Sequence, residues 1–550
     1  MKNVYTKLHI AAALILSASA AMADTLLVKN VNGYTLDDDG ELITFSSIAI
    51  DDGKISALNP SKNTDYDRTV DGEGKTLLPG MIDAHGHLLG LGSNLLEVDL
   101  RDTASSQEAV SRVAEYALAN SKGLWITGRG WNQELWSDRA YPKAADLDAK
   151  ISDRPIWLTR VDGHAGWANT RALKMAGIDK NTKSPKGGQI IKDDQGNPTG
   201  VLIDNAMALV EKHIPDTGPE QLNAQLNAAG QHLLSQGITT MHDAGVSQAV
   251  YNFYLRRAVE QTLPVRIYAM ISATDPDLSK MLAAGPVRGK QDYLFINSVK
   301  AYGDGALGSR GAALLEPYSD AAHQRGLMVT QPEDFEALFN EVISAGFQLN
   351  FHAIGDRANR LALDQFEATF KEKGGKALRN RIEHAQIVAP SDLKRFSSLE
   401  VLPSMQPTHA TSDKNMAEDR IGKERMEGAY AWQTLLKSGI AVPLGSDFPV
   451  ELANPFFGIH AAVTRQDRNN NPVDGWYAHE ALSVRQAFKG FTLDAAYAAH
   501  MEDSLGTLTP GKWADFILVD QDIFAIEPRN LWKTSVEQTW VAGEKVFEKQ

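Results

Sequence analysis

In the stretch DAHGH, residues 83–87, two histidines stand one residue apart at the end of the apolar run LLPGMI. In an extended strand, residues i and i+2 point to the same face, so His85 and His87 converge on one point. In a helix they would diverge by about 200°, at about 100° per residue. Converging neutral imidazoles suit a divalent transition metal, and a chain without cysteine has no thiolate to offer one. Four more apolar runs finish on residues of related chemistry: FINSVK on Lys300, QLNFH on His352, RIEH on His384 and IAVPLGSD on Asp447.

The elements that must carry these residues are strands alternating with amphipathic helices, among them PEDFEALFNEVISAG and ANRLALDQFEATFKEKG. Such units predict a parallel sheet covered by helices. No GxGxxG or GxxxxGK[ST] loop opens any helix, which favours a closed barrel over an open nucleotide-binding sheet. Barrel active sites form at the C-terminal ends of the strands, where His85, His87, Lys300, His352, His384 and Asp447 are all expected.

The expected architecture is a (β/α)8 TIM-type barrel over residues 80–499, interrupted at about 122–230 by a Trp-, Gly- and Pro-rich insertion read as a cap. Residues 24–79 and 500–550 are short alternating runs with Asn-Gly, Asp-Gly and Ala-Gly-Glu turns. They predict one β-sandwich built from both chain ends.

Residues 1–23 place Lys2 and Lys7 before a short apolar block and end in Ala-Met-Ala, the pattern of a cleaved secretory signal. Export, most simply to the periplasm, is the expectation. No later run approaches the roughly 20 apolar residues of a membrane span, so no membrane association is expected after cleavage. Cleavage removes two lysines and no acids, leaving 53 basic against 69 acidic residues. That balance argues against nucleic acid or anionic lipid and for a small-molecule substrate, and is compatible with a homo-oligomer.

The order HxH, Lys, His, His, Asp on successive strands resembles the binuclear amidohydrolase superfamily of metal-dependent hydrolases. VKAYGDGALGSRGAALLEPY, NFHAIGDRA, RIEHAQ, GSDFPV and LWITGRGW resemble the branch containing N-substituted formamide deformylases. The resemblance implies that His85 and His87 hold one divalent ion with Asp447, and that His352 and His384 hold a second. It also implies that Lys300, carboxylated by carbon dioxide, bridges the two.

A lysine ammonium cannot ligate a cation, whereas its carbamate offers two oxygens and a negative charge. One or two ions are expected, and the nitrogen and oxygen donors suit zinc. The implied reaction is hydrolysis of the carbon-nitrogen bond of a small N-acyl or N-substituted amide. Asp447 would take the proton of an activated water and pass it to the departing amine. Cleavage of an ester, lactone or cyclic amide, and a non-catalytic regulatory role, are the competing readings.

Four other residues are candidates, three of them with two readings each. His164, in VDGHAGWAN, is either a catalytic group that binds the substrate carbonyl or a loop histidine. His242 ends the run GITTMH and is read as reaching the same face. Arg310 clamps a polar substrate or orders its loop. Trp131 either walls the substrate with its neighbouring tryptophans or packs the insertion. His213, His232, His323, His409, His460, His479 and His500 are read as surface or core histidines.

Overall fold

The structure is a computed structural model that describes residues 25–550 apart from 63, 121–123 and 216–217; the expected signal segment, residues 1–23, lies outside the described residues. Seven parallel strands form the central sheet: Met81–Gly86, Ile238–Val246, Arg266–Ser272, Leu294–Tyr302, Gln348–Ala353, Arg381–His384 and Leu402–Ser404. Each pairs with the next in that order.

The expected eighth strand, IAVPLGSD, is reduced to two parallel bridges, Met405 to Leu444 on one side and Gly86 to Phe448 on the other. Asp83 explains why this short seam holds. Its buried carboxylate accepts the Ser446 backbone N–H at 3.0 Å and the Ser446 hydroxyl at 2.6 Å. Asp447 N then donates to His85 O at 2.7 Å, and His87 N to Phe448 O at 2.8 Å. The two segments are thereby zipped together where the first histidine pair meets the last carboxylate, and the sheet closes into a TIM-type barrel.

Helices cover the barrel as their apolar spacing requires. In Phe335–Ser344, Phe335, Phe339, Val342 and Ile343 are buried, a stripe at i, i+4, i+7 and i+8. Helix Asp356–Lys373 buries Ala358, Ala362, Leu363 and Phe366 on one face, and ends at Gly374, whose φ of 74° favours glycine.

The chain ends form one sheet. Thr25–Leu36 lies between Leu42–Asp51 and Thr76–Pro79, and the latter pairs with Phe516–Val519, which leads on to Val536–Val541 and Glu544–Glu548. Leu26, Val28, Ile48, Phe516 and Trp540 form its core. Buried Arg266 fastens the barrel to this sheet through a bidentate pair with Asp515, at 2.7 and 3.0 Å.

The insertion begins earlier than its composition suggests. Its six-stranded sheet runs from Val98–Asp99 to Pro198–Asp204, and helix Ser106–Ala119 packs on it. Helix Pro219–Ser235, placed in the insertion from the sequence, packs against helix Leu88–Leu96 and strand Ile238–Val246 and belongs to the barrel.

Candidate metal centre

His85 closes the first barrel strand and is fully buried. Its Nδ1 lies 2.5 Å from Glu383 Oε2, and its Nε2 is 3.1 Å from Lys300 Nζ and 3.7 Å from Asp447 Oδ1. His87 has Nδ1 2.9 Å from Ala244 O and Nε2 3.1 Å from Asp447 Oδ1. His384 has Nδ1 2.7 Å from Gln406 Oε1, and its ring centroid is 4.8 Å from that of His85.

In all three, Nδ1–H has an oxygen to donate to, which fixes the tautomer and leaves the Nε2 lone pair facing inward. That is the arrangement of metal-binding histidines, in which an outer oxygen orients the ring. His352 completes the group with its centroid 4.7 Å from that of His384. Its Nε2 is buried without a hydrogen bond, 3.5 Å from Asp304 Oδ1, and Asp447 Oδ1 likewise has no hydrogen-bond partner among the described residues.

Ligand atoms of His85, His384 and Asp447 fall within 4.8 Å of one another. Buried orphan acceptors beside tautomer-fixed imidazoles fit a divalent cation and fit little else, since each acceptor would otherwise be buried at a cost of about 1–3 kcal/mol.

Protonation states agree with that reading. Burial, followed by the charge of Lys300, pushes the His85 imidazolium down to about 4. Burial also pushes His352 and His384 well below the ordinary histidine value, so all three rings are neutral near neutral pH. Burial opposes charge on Asp447 too, but the imidazoles packed around it, His87 nearest at 3.1 Å, hold it well below the usual carboxylate range. Lys300, 2 % exposed, is pushed down by burial.

The backbone is strained at two of these residues. His384 has φ 75° and Asp447 φ 60°, a region costing a non-glycine residue of order 1–3 kcal/mol and found most often at functional sites.

Two cavities meet at the centre, of about 600 Å³ and about 280 Å³, and both are lined by His164, His352, His384 and Asp447. His164 is delivered by the insertion. Its Nδ1 is 2.7 Å from Asp204 Oδ1, and its ring centroid is 5.2 Å from that of His352. Burial disfavours its charged form, but the Asp204 hydrogen bond and charge prevail and the imidazolium is raised above its ordinary value.

Three expected site residues lie elsewhere. His242 is inside the barrel and off both cavity walls; its Nδ1 is 3.1 Å from Arg381 Nη1 and its ring packs on Tyr268. Arg310 pairs with Asp320 at 2.9 Å on a separate cavity, the structural reading of the two. Trp131 is fully buried in the insertion core between Trp136 and Trp167, its indole donating to Leu158 O at 2.8 Å.

Conversely, His409, read as surface or core, lines the smaller cavity with Nε2 3.6 Å from Asp447 Oδ2. His409 lies on helix Pro407–Asp413, four residues past the apolar run VLPSM, so it lacks the strand-end position of the other site residues. Glu383, which directly precedes His384 in RIEH, joins the site through His85.

The family model described as "Amidohydrolase family" matches residues 68–547. Protein LONG AFTER FAR-RED 3 of Arabidopsis thaliana is 33% identical, covering 97% of this chain and 93% of the relative. Putative amidohydrolase YtcJ of Bacillus subtilis is 31% identical over 94% and 98%. N-substituted formamide deformylase of Arthrobacter pascens is 23% identical over 95% and 98%.

Among solved structures, an uncharacterized metal-dependent hydrolase from Pyrococcus horikoshii superposes with TM-score 0.74 at 27% identity, covering 92% of this chain and 99% of that one. A family match over most of the chain, a barrel closed at its histidine strand, and buried donors converging at the strand ends agree with one another: the chain belongs to the amidohydrolase family, the metal-dependent hydrolases built on this barrel.

Proposed function

We propose that this protein is an exported, periplasmic hydrolase that cleaves the carbon-nitrogen bond of a small N-acyl or N-substituted amide. The observation that carries the reading is the set of three imidazoles, His85, His87 and His384, gathered beside Asp447 with each Nδ1 set against an oxygen. His85, His87 and Asp447 are proposed to hold one divalent ion, zinc by donor type, and His352 and His384 a second. When bound, such ions acidify a water and polarise a carbonyl.

Lys300 is proposed to bridge as its carbamate. Burial holds its amine toward the neutral form, the form that adds to carbon dioxide.

The chain's own groups then move the proton. Asp447, ionised and facing both cavities, accepts a proton from the attacking water. It returns that proton to the leaving nitrogen as the carbon-nitrogen bond breaks, giving a carboxylic acid and an amine. His164, held by Asp204, which favours its charged form, donates to the carbonyl oxygen as negative charge develops there. The deformylase relative supports a carbon-nitrogen bond as the target. A panel pairing amides with isosteric esters and lactones tests the reading. Amides should be turned over in preference, and an ester- or lactone-only profile would refute it.

A further inference from the structure

We infer that Arg129 forms a carboxylate-binding subsite beside the metal centre, so that the substrate is a small amide bearing a carboxylate near the bond that is cut. The inference rests on the site being that of an amide hydrolase.

Arg129 lies on strand Ile126–Trp131 of the inserted sheet and reaches the cavity of about 600 Å³ that His87, Lys300, His352, His384 and Asp447 also line. Its one hydrogen bond among the described residues runs from Nη2 to Val161 O at 2.9 Å, and its Nε is buried without a partner. No carboxylate stands within ion-pair distance of it among the described residues.

The acids around it are engaged with other groups. Asp162 pairs with Arg160 and accepts the His164 backbone N–H. Asp204 holds His164, and Asp243 accepts from Tyr254 OH and Leu88 N. Glu211 is beside the Trp157 indole.

Other buried arginines show what a structural role looks like here. Arg266 is paired with Asp515, and Arg420 with Glu134 and Asp320. Arg465 has no carboxylate, but it donates to two carbonyls, stacks on Trp432, and lines none of the cavities described above. Arg129 has one carbonyl and an open cavity.

A guanidinium with unused donors matches a carboxylate by charge and planar shape. The turn beyond it is shaped to its side chain: Gly163 has φ 77°, and a Cβ there would lie 3.2 Å from Arg129 Nη2. The same turn sets His164 on the same cavity, so a carboxylate at Arg129 leaves the adjoining amide carbonyl to His164 and the metal ligands.

The test compares N-benzoylglycine with its neutral counterpart N-benzoylglycinamide, on the metal-loaded full chain, by calorimetric binding and by turnover. Wild type should bind the acid at least tenfold more tightly. Arg129→Met should remove that preference while leaving affinity for the neutral compound within threefold, and Arg129→Lys, which keeps the cation, should retain part of it. Thermal unfolding of each variant reports whether it is folded. Equal affinity in wild type, binding of neither compound, or a preference that survives in Arg129→Met would overturn the inference. If acid binding depends on Arg129 while neither compound is hydrolysed, the carboxylate subsite stands and amide hydrolysis falls.

Discussion

Glu383 is the most exacting place to perturb the centre without touching a ligand. Its Oε2 is 2.5 Å from His85 Nδ1, its Oε1 is 3.7 Å from Arg381 Nη1, and all three side chains are fully buried. Removing the oxygen that orients a metal-binding histidine lowers metal affinity by about 10- to 100-fold, which corresponds to about 1.4–2.8 kcal/mol.

Glu383→Gln keeps an oxygen in reach of His85, so its loss should be near tenfold. Glu383→Ala removes the oxygen altogether and should approach 100-fold. A second cost falls on the fold, because either change strips Arg381 of its carboxylate. Breaking a buried pair costs about 3–5 kcal/mol. Arg381 keeps Gln348 Oε1 at 3.0 Å, Ala84 O at 3.3 Å and the Tyr268 ring, which places the loss at the lower end.

Competition against a chromophoric zinc chelator measures the first effect, and denaturant unfolding of the metal-free protein the second. The order wild type, Glu383→Gln, Glu383→Ala, His85→Ala in falling affinity is expected, with no measurable binding for the last. Wild-type zinc affinity in Glu383→Ala would refute the argument that this carboxylate sets the His85 tautomer.

His85→Ala should lose metal and activity together while far-ultraviolet circular dichroism is unchanged; full activity with unchanged metal content would defeat the site assignment. Because Asp204 raises His164, the pair stabilises the fold fully below the unfolded histidine value of about 6.5, and this is lost as pH rises through the higher folded value. The alkaline limb of kcat/KM should follow that folded value and move to lower pH in Asp204→Asn, whereas an unmoved limb would remove His164 from the reaction. Trp131→Phe should destabilise the insertion by about 1 kcal/mol through the lost bond to Leu158 O, with KM unchanged; a large KM rise would return Trp131 to the substrate wall. Arg266→Met should lower stability by about 3–5 kcal/mol by stranding Asp515, read by denaturant titration at constant kcat.

What the sequence shows of this site is what strand periodicity and strand ends encode locally. His85, His87, His352 and His384 each close or follow an apolar run, and the barrel brings those ends together in the register the runs imply. Asp447 is legible for the same reason, although its strand survives as two bridges because Asp83 and Ser446 supply much of the pairing.

The residues that were misplaced depend on partners far away in the chain. Nothing local to LWITGRGW reveals that Trp131 turns into the core with Trp167 while Arg129 turns toward the cavity lined by His352, His384 and Asp447. The start of the insertion was hidden because Val98–Asp99 is a two-residue strand, defined only by pairing with Gly128 and Arg129. His242 obeys the strand-end pattern yet falls beside Arg381, inside the barrel, because its strand continues to Val246.

The most direct test of the account is a crystal structure of the metal-loaded protein with anomalous scattering recorded across the zinc edge. A peak is expected about 2.0–2.2 Å from the Nε2 atoms of His85 and His87 and from an Asp447 oxygen. A second peak is expected beside His352 and His384, with density continuing past Lys300 Nζ. A catalytically active crystal with no peak among these residues, or with metal bound only elsewhere, would contradict it.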